Sequence, residues 1–333
     1  MLKYWVQVNL RVAVMVLFIT TLMASLLPMA TSASNQNTLK VSPVRTDIEI
    51  QPGGSKTVQT TVSNLTNEPL TLRPVNNDFI SGDESGTPAL ILDENEFAPT
   101  HSLKRFMQPI QNFTVPAGES KTVEVVISVP QDVQAGGYFG AVRFEPVSPE
   151  GGGQVNMSAS AASIILLTVP GDMVERLVLS EFNIQQNGKT NTIFHSADNI
   201  EAAFRFENKG NAQVGPFGKI SVTKGNDIVY EYDFNPNSPR DMILPDSARR
   251  WGAPLTNLGS FGRYTVNGTL TYGQQNKTIE VNQSFWIIPW NVIIGAGVLL
   301  LVITGLIIGL IFYIKNRQQR TSRRFGSSGG LRL

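Results

Sequence analysis

The chain has 333 residues, with 27 Lys plus Arg against 26 Asp plus Glu, a formal net charge of +1 and no cysteine. A charge near zero, with no basic stripe before the C-terminus, argues against nucleic acid as a partner. The lack of cysteine excludes disulfides, thiolate nucleophiles and Cys-ligated zinc together.

Lys3 and Arg11 precede an apolar run over residues 12–27, followed by Pro28 and the small residues Ala30-Thr31-Ser32-Ala33. That is the order of a secretory signal peptide, so residues 1–33 are expected to be a leader cut after Ala33. An uncleaved N-terminal anchor gives the same topology. About 250 residues then separate the leader from the next apolar segment, a length suited to two domains.

Residues 57–63 mix β-branched and polar side chains between the turns Pro52-Gly53-Gly54 and Asn64–Pro69, and residues 70–75 form a second short run. In residues 121–129, Val123, Val125, Ile127 and Val129 alternate with more polar neighbours, the period of a half-buried antiparallel strand. Residues 138–145 alternate similarly, and residues 159–169 end in a continuous apolar run. The turn segments Pro52-Gly-Gly-Ser-Lys-Thr-Val and Pro116-Ala-Gly-Glu-Ser-Lys-Thr-Val echo each other about 64 residues apart. That is too short for a repeated domain, and they are read as two edge turns of one sandwich.

Pro170-Gly171-Asp172 marks a boundary. A second set of strands is predicted over residues 174–184, 200–208, 219–223, 228–234, 263–272 and 277–287. Asn187-Gly188 and Gly225-Asn226 supply hairpin turns.

Residues 293–314 then run for about 22 positions without a charge, roughly 33 Å as a helix and enough to cross a bilayer. Trp286, Trp290 and Tyr313 flank this run as membrane-interface residues, and Lys315, Arg317, Arg320, Arg323 and Arg324 follow as a basic tail. The positive-inside bias places that tail in the cytoplasm and everything before residue 286 outside, as a single-pass type I membrane protein. A cysteine-free ectodomain points to a bacterial or archaeal surface.

The expected fold is therefore all-β, with two tandem immunoglobulin-like β-sandwiches over residues 34–172 and 173–286. A transmembrane helix over 287–314 and a cytoplasmic tail over 315–333 complete it.

Ile48-Glu-Ile-Gln-Pro-Gly-Gly-Ser-Lys-Thr-Val58, Glu68-Pro-Leu-Thr-Leu72, and Val115-Pro-Ala-Gly-Glu-Ser-Lys-Thr-Val123 running on to Gly136-Gly-Tyr-Phe-Gly-Ala-Val-Arg-Phe144 carry a resemblance. So do residues 202–208, Ile228-Val-Tyr-Glu231 and Met242-Ile-Leu-Pro-Asp-Ser247. The chain resembles a divergent member of the WxL-interacting proteins, membrane-anchored surface proteins of Gram-positive bacteria. The resemblance implies an N-terminal peptidoglycan-binding domain, a C-terminal domain that engages host proteins, and work beside WxL-type partners. This chain contains no Trp-x-Leu, so it resembles the anchor component.

Chemistry-bearing patterns are sparse. His101 and His195 lie in different predicted domains, and no metalloprotease, nucleophile-elbow or phosphate-loop motif occurs. Gly136–Gly140 precedes a strand and is read as a turn. Asp78, Asp83, Glu84, Asp93, Glu94 and Glu96 are the best candidates for a hard cation, but their spacing fits a solvated loop better. No cofactor is expected. Six Asn-x-Ser/Thr sequons, at Asn64, Asn112, Asn156, Asn267, Asn276 and Asn282, are read as incidental. Phe97, Phe106, Phe113, Tyr138, Phe139 and Phe144 are mostly core candidates. Arg249-Arg250-Trp251 is the candidate protein-binding hot spot.

The first functional reading is a non-enzymatic, membrane-anchored adhesion protein that binds cell-wall glycan (peptidoglycan), surface proteins or host proteins. The alternative is a chaperone-like or scaffolding accessory that captures another surface protein by β-strand addition. A carbohydrate-active enzyme using paired carboxylates is the least favoured.

Overall fold

The computed structural model describes residues 38–147 and 160–325, with side chains only to residue 315 along the terminal helix. The expected leader, residues 1–33, and Asn156 lie outside the described residues. Arg317, Arg320, Arg323 and Arg324 are described by backbone alone.

The first half of the chain folds into two facing sheets. Strands β1 (Leu39–Ser42), β3 (Ser55–Asn64) and β7 (Ser120–Ser128) form a three-stranded sheet in the order β1-β3-β7. Strands β2 (Arg45–Glu49), β4 (Leu70–Ser81), β5 (Pro88–Leu90), β6 (Phe113–Val115), β8 (Gly136–Pro146) and β9 (Ala161–Val169) form the other. Its order is β2-β9-β8-β4-β5, with β6 also on β4. The echoed turn segments lead into β3 and β7, which pair with each other from Ser55–Ser128 to Ser63–Ser120, so they are neighbours in one sheet. Alternation works as expected in β7, where Val123, Val125 and Ile127 are buried. β9 lies between β2 and β8 and buries both faces of residues 165–167, which explains its unbroken apolar run.

The second half repeats the plan. Strands β10 (Leu177–Gln186), β11 (Lys189–Thr190), β13 (Ile200–Asn208) and β16 (Ala248–Pro254) form a sheet in the order β11-β10-β13-β16. It faces β12 (Ile193–Phe194), β14 (Phe217–Lys224), β15 (Asp227–Phe234), β17 (Gly262–Tyr272) and β18 (Lys277–Ile287), ordered β12-β18-β17-β14-β15. Phe204, Phe206, Phe234, Tyr264 and Phe285 fill the space between them, with Phe204 and Phe234 ring centroids 5.2 Å apart. Helix α1 (Trp290–Phe325) follows β18. Its Trp290–Lys315 stretch has 26 residues and contains an 18-residue window of mean hydropathy 2.8, long and apolar enough to cross a membrane. Tyr313 lies near its end and is exposed.

The two halves share a device that composition does not reveal. Asn64 ends β3 fully buried; its Nδ2 donates to the carbonyls of Glu68 at 2.7 Å and Val115 at 3.1 Å, and its Oδ1 accepts from Thr66 N at 3.0 Å. Asn208 ends β13, also fully buried, with Nδ2 on the carbonyls of Ala212 at 2.8 Å and Ile243 at 3.0 Å and Oδ1 accepting from Gly210 N at 2.9 Å. Their own backbone N–H groups donate to Glu119 O and Ser247 O, both at 2.9 Å. Leu39 pairs with Asn64 as Leu177 pairs with Asn208. The structural repeat is thus β1-β3-β7 against β10-β13-β16. Burial also removes Asn64 as a glycosylation acceptor.

Replacing Asn208 with Ala strands buried carbonyl and amide groups, so the second sandwich should lose about 1–3 kcal/mol. Denaturant unfolding of the full chain, followed through Trp fluorescence, checks this. An unchanged midpoint would contradict the role.

Candidate functional site

The acidic loop after β4 supplies the clamp between the sandwiches. Glu84 Oε1 accepts from Arg205 Nη2 at 2.7 Å, and its Oε2 accepts from Arg250 Nε at 2.5 Å. Arg250 also reaches Glu181 at 2.7 Å, and Arg205 also pairs with Glu207. The backbone joins in: Arg250 N donates to Glu84 O at 2.7 Å, so the loop lies along the outer edge of β16. Gly86 has φ +87°, and a Cβ there would strike the Arg249 guanidinium, so this approach requires glycine. Elsewhere across the joint, Arg45 Nη1 donates to Arg240 O at 2.8 Å, Gln213 Nε2 to Thr168 Oγ1 at 2.7 Å, and Asn211 Nδ2 to Ala135 O at 2.9 Å. Phe79, Phe139 and Leu166 meet Met242 and Leu244 in an apolar cluster that includes Ile164 and Leu90.

The expected hot spot lies inside this joint. Residues 249–251 lie within β16, paired to β13 from Phe206–Arg249 to Phe204–Trp251. Trp251 is half-buried, 5.8 Å from the Phe206 ring and 5.6 Å from the Phe234 ring, and Arg249 covers it at 4.6 Å. Arg249 and Arg250 are engaged by Asp241, Glu84 and Glu181. The structure brings the three together but gives them partners within the chain. The joint went unread because Glu84 and Arg250 are 166 residues apart.

Asp78, Asp83, Asp93 and Glu94 are likewise committed internally, Asp83 accepting from Ser85 N at 2.8 Å. Asp78 is fully buried and accepts from Ala98 N at 2.9 Å and Lys104 N at 2.8 Å; Asp93 accepts from Asn95 N, and Glu94 pairs with Arg73. Among the described residues no group of three or more His, Asp or Glu is arranged to hold a metal ion. His101 Nδ1 lies 2.6 Å from Gly137 O and His195 Nδ1 lies 2.8 Å from Ile288 O. Of the first-sandwich aromatics, Phe139 and Phe144 are buried, while Phe97 is exposed, with Lys104 and Arg105 4.7 and 4.9 Å from its ring centroid. A groove of about 380 Å³ beside it is lined by Arg73, Glu94, Met107 and Ile110.

A surface hollow of about 720 Å³ lies on the outer face of the sheet that ends in β15. Strand alternation sends Ile220, Val222, Val266 and Val281 into the core and leaves Lys219, Ser221, Asn267, Thr269, Glu280 and Asn282 outside. Asn282 Nδ2 donates to Asn267 Oδ1, Thr265 and Ser284 hydroxyls lie 2.9 Å apart, and Lys219 pairs with Glu231 at 3.3 Å. No aromatic residue lines the hollow. β15 forms its open rim. It pairs with β14 on one side, and among the described residues its other edge has no backbone partner. Ile228 and Glu231 on this strand also line the hollow.

No family model matches the chain, and no curated protein matches it. Among solved structures, the class 5 fimbriae chaperone CfaA is similar at 17% identity and a TM-score of 0.37, over 74% of this chain and 98% of that one. The chain in a chaperone–tip adhesin complex of CFA/I fimbriae biogenesis is similar at 16% identity and TM-score 0.38, over 74% and 98%. The E. coli chaperone DraB is similar at 15% identity and TM-score 0.33, over 75% and 96%.

The Arg205 hydrogen bond, followed by that from Arg250, holds the Glu84 carboxyl below the usual Glu range; Glu181 and Glu207 are lowered by Arg250 and by Lys209 with Arg205. Lowered carboxyl pKa values stabilise the joint above the ordinary value near 4.3, and this is lost as pH falls through the lower folded values. The separation between fluorophores at positions 119 and 189 should hence be fixed at neutral pH and broaden as pH falls well below the ordinary Glu range. Glu84→Gln should broaden it at neutral pH already. An identical distribution in all three conditions would contradict the clamp.

Proposed function

We propose that this chain is a non-enzymatic, membrane-anchored surface scaffold that holds another surface protein by adding an extended segment to the open edge of β15. The observation that carries this reading is the edge itself: eight residues, Asp227–Phe234, paired on one side only. An unpaired strand edge offers a row of main-chain donors and acceptors, and strand addition uses them for affinity while adjacent side-chain sites give selectivity. Asp227, Glu231 and Asp233 discourage pairing between like copies, because the same charges would then face one another. The hydroxyl- and amide-lined hollow beside the edge gives alternate side chains of an added segment somewhere to lie. The apolar helix and basic tail support an outward-facing ectodomain anchored as a type I protein. The resemblance to WxL-interacting proteins supplies a class of partner, a surface protein of WxL type.

The exposed Phe97 between Lys104 and Arg105, with the groove beside it, favours a second reading, in which the first sandwich contacts wall glycan.

Amide exchange on the full chain separates these readings. With solubilised surface proteins of its own organism added, amides across Asp227–Phe234 should slow while those of β13, internal to its sheet, stay unchanged. Protection confined to residues 94–110 upon adding peptidoglycan, with none along β15, would overturn strand addition and favour wall binding.

A further inference from the structure

Only Ile288 and Pro289 separate the end of β18 from the start of α1. Such a connection spans less than about 10 Å even when extended. It is also pinned. Trp286 N donates to Thr192 O and Ile288 N to Phe194 O, both at 2.8 Å, and the His195 ring packs against Trp290 with centroids 4.3 Å apart. The end of the second sandwich therefore cannot stand away from whatever α1 is embedded in.

That end differs from the remaining surface of the sandwich. Between β10 and β18 the exposed large apolar residues are Val178, Ile193, Ile228, Phe261 and Trp286. Val178 lies at the far end, next to the Leu177–Asn208 pair. The other four collect where the helix leaves. Ile193 pairs with Trp286, Trp286 lies opposite Arg263, and Gly262, next to Phe261, pairs with Ile287. Lys224 Nζ donates to Phe261 O at 2.9 Å, and Ile228 pairs with Thr223 beside it. Single exposed apolar residues need no explanation, but four gathered at one end are a patch. Their exposures run from 42% for Trp286 to 61% for Ile228, so among the described residues none covers them fully.

We infer that Ile193, Ile228, Phe261 and Trp286 form a foot that rests in the outer headgroup layer of the membrane, with Lys224 and Arg263 at its rim. The inference rests on reading α1 as a membrane-spanning helix. Amphipathic rings and the stems of long basic side chains favour this zone, where an apolar body meets a polar tip. Lys224 faces Asp227 across the hairpin, so the foot presents no field of one sign and its hold comes from apolar insertion. Ile228 belongs both to the foot and to β15, so a segment added to that strand would start at the membrane surface and run away from it.

The cysteine-free chain allows single-cysteine spin labels in the full protein, reconstituted in phosphatidylcholine vesicles. Labels at 193, 228 and 261 should be relaxed by lipid-soluble oxygen more than by a water-soluble nickel chelate, at depths within about 5–10 Å of the headgroup–acyl boundary. A label at 178 should favour nickel, and one at 303 should favour oxygen. Phe261→Asp should shift the labels at 193 and 228 towards nickel. Nickel preference at 193, 228 and 261 with oxygen preference at 303 would overturn the foot and leave the anchor standing. Nickel preference at 303 would overturn the anchor itself.

Discussion

The Glu84 carboxylate is the contact on which the arrangement of the two sandwiches depends. It takes hydrogen bonds from Arg205 on β13 and Arg250 on β16, while its own carbonyl accepts from Arg250 N. One residue of the first sandwich thus closes the free edge of a sheet in the second. An exposed ion pair alone contributes little. This one is a network of three carboxylates and two guanidiniums, with a backbone bond that holds it in register. It also occupies β16, which leaves β15, the greater part of β10 and residues 277–285 of β18 as the long strands of the second sandwich with an open side among the described residues.

β10 and β15 are not equivalent as open edges. β10 has a register shift between Leu179 and Glu181, and Glu181 is held by Arg250, so its pairing surface is broken midway. β15 has its register shift near one end and runs regularly from Tyr230 to Phe234, with Tyr230 and Tyr232 packed against the core. An added strand meets a firm backbone there. At the opposite margin of the same sheet, β18 passes into the apolar helix α1, so the sheet that offers the edge is the one joined to that helix.

Long alternating strands were legible in the sequence because their burial has period two. The segments 200–208 and 277–287 match β13 and β18 at both ends. β4 runs six residues beyond its apolar signal, since Asn77 and Asp78 satisfy their buried groups on the backbone of Ile91, Ala98 and Lys104. β16 was hidden because its alternation is carried by Arg249, Trp251 and Ala253, whose partners are distant in sequence. Of the acidic run expected as a solvated loop, Asp83, Glu84, Asp93, Glu94 and Glu96 lie in loops, whereas Asp78 is a fully buried residue of β4, and nothing local marks Glu84 apart from Asp83 or Glu94. Asn64 matches a sequon, yet its role as a buried turn clamp emerges only from comparison with Asn208. The foot was half legible: Trp286 and Trp290 border the apolar run, whereas Ile193, Ile228 and Phe261 join them only through strand pairing.

The structure of the full chain in lipid with its captured surface partner tests the central claim most directly. Expected is an extended partner segment hydrogen-bonded along Asp227–Phe234, continuing the sheet beyond β15 while the Glu84–Arg205–Arg250 contacts persist. A partner seated elsewhere, with the outer groups of β15 still facing solvent, would contradict it.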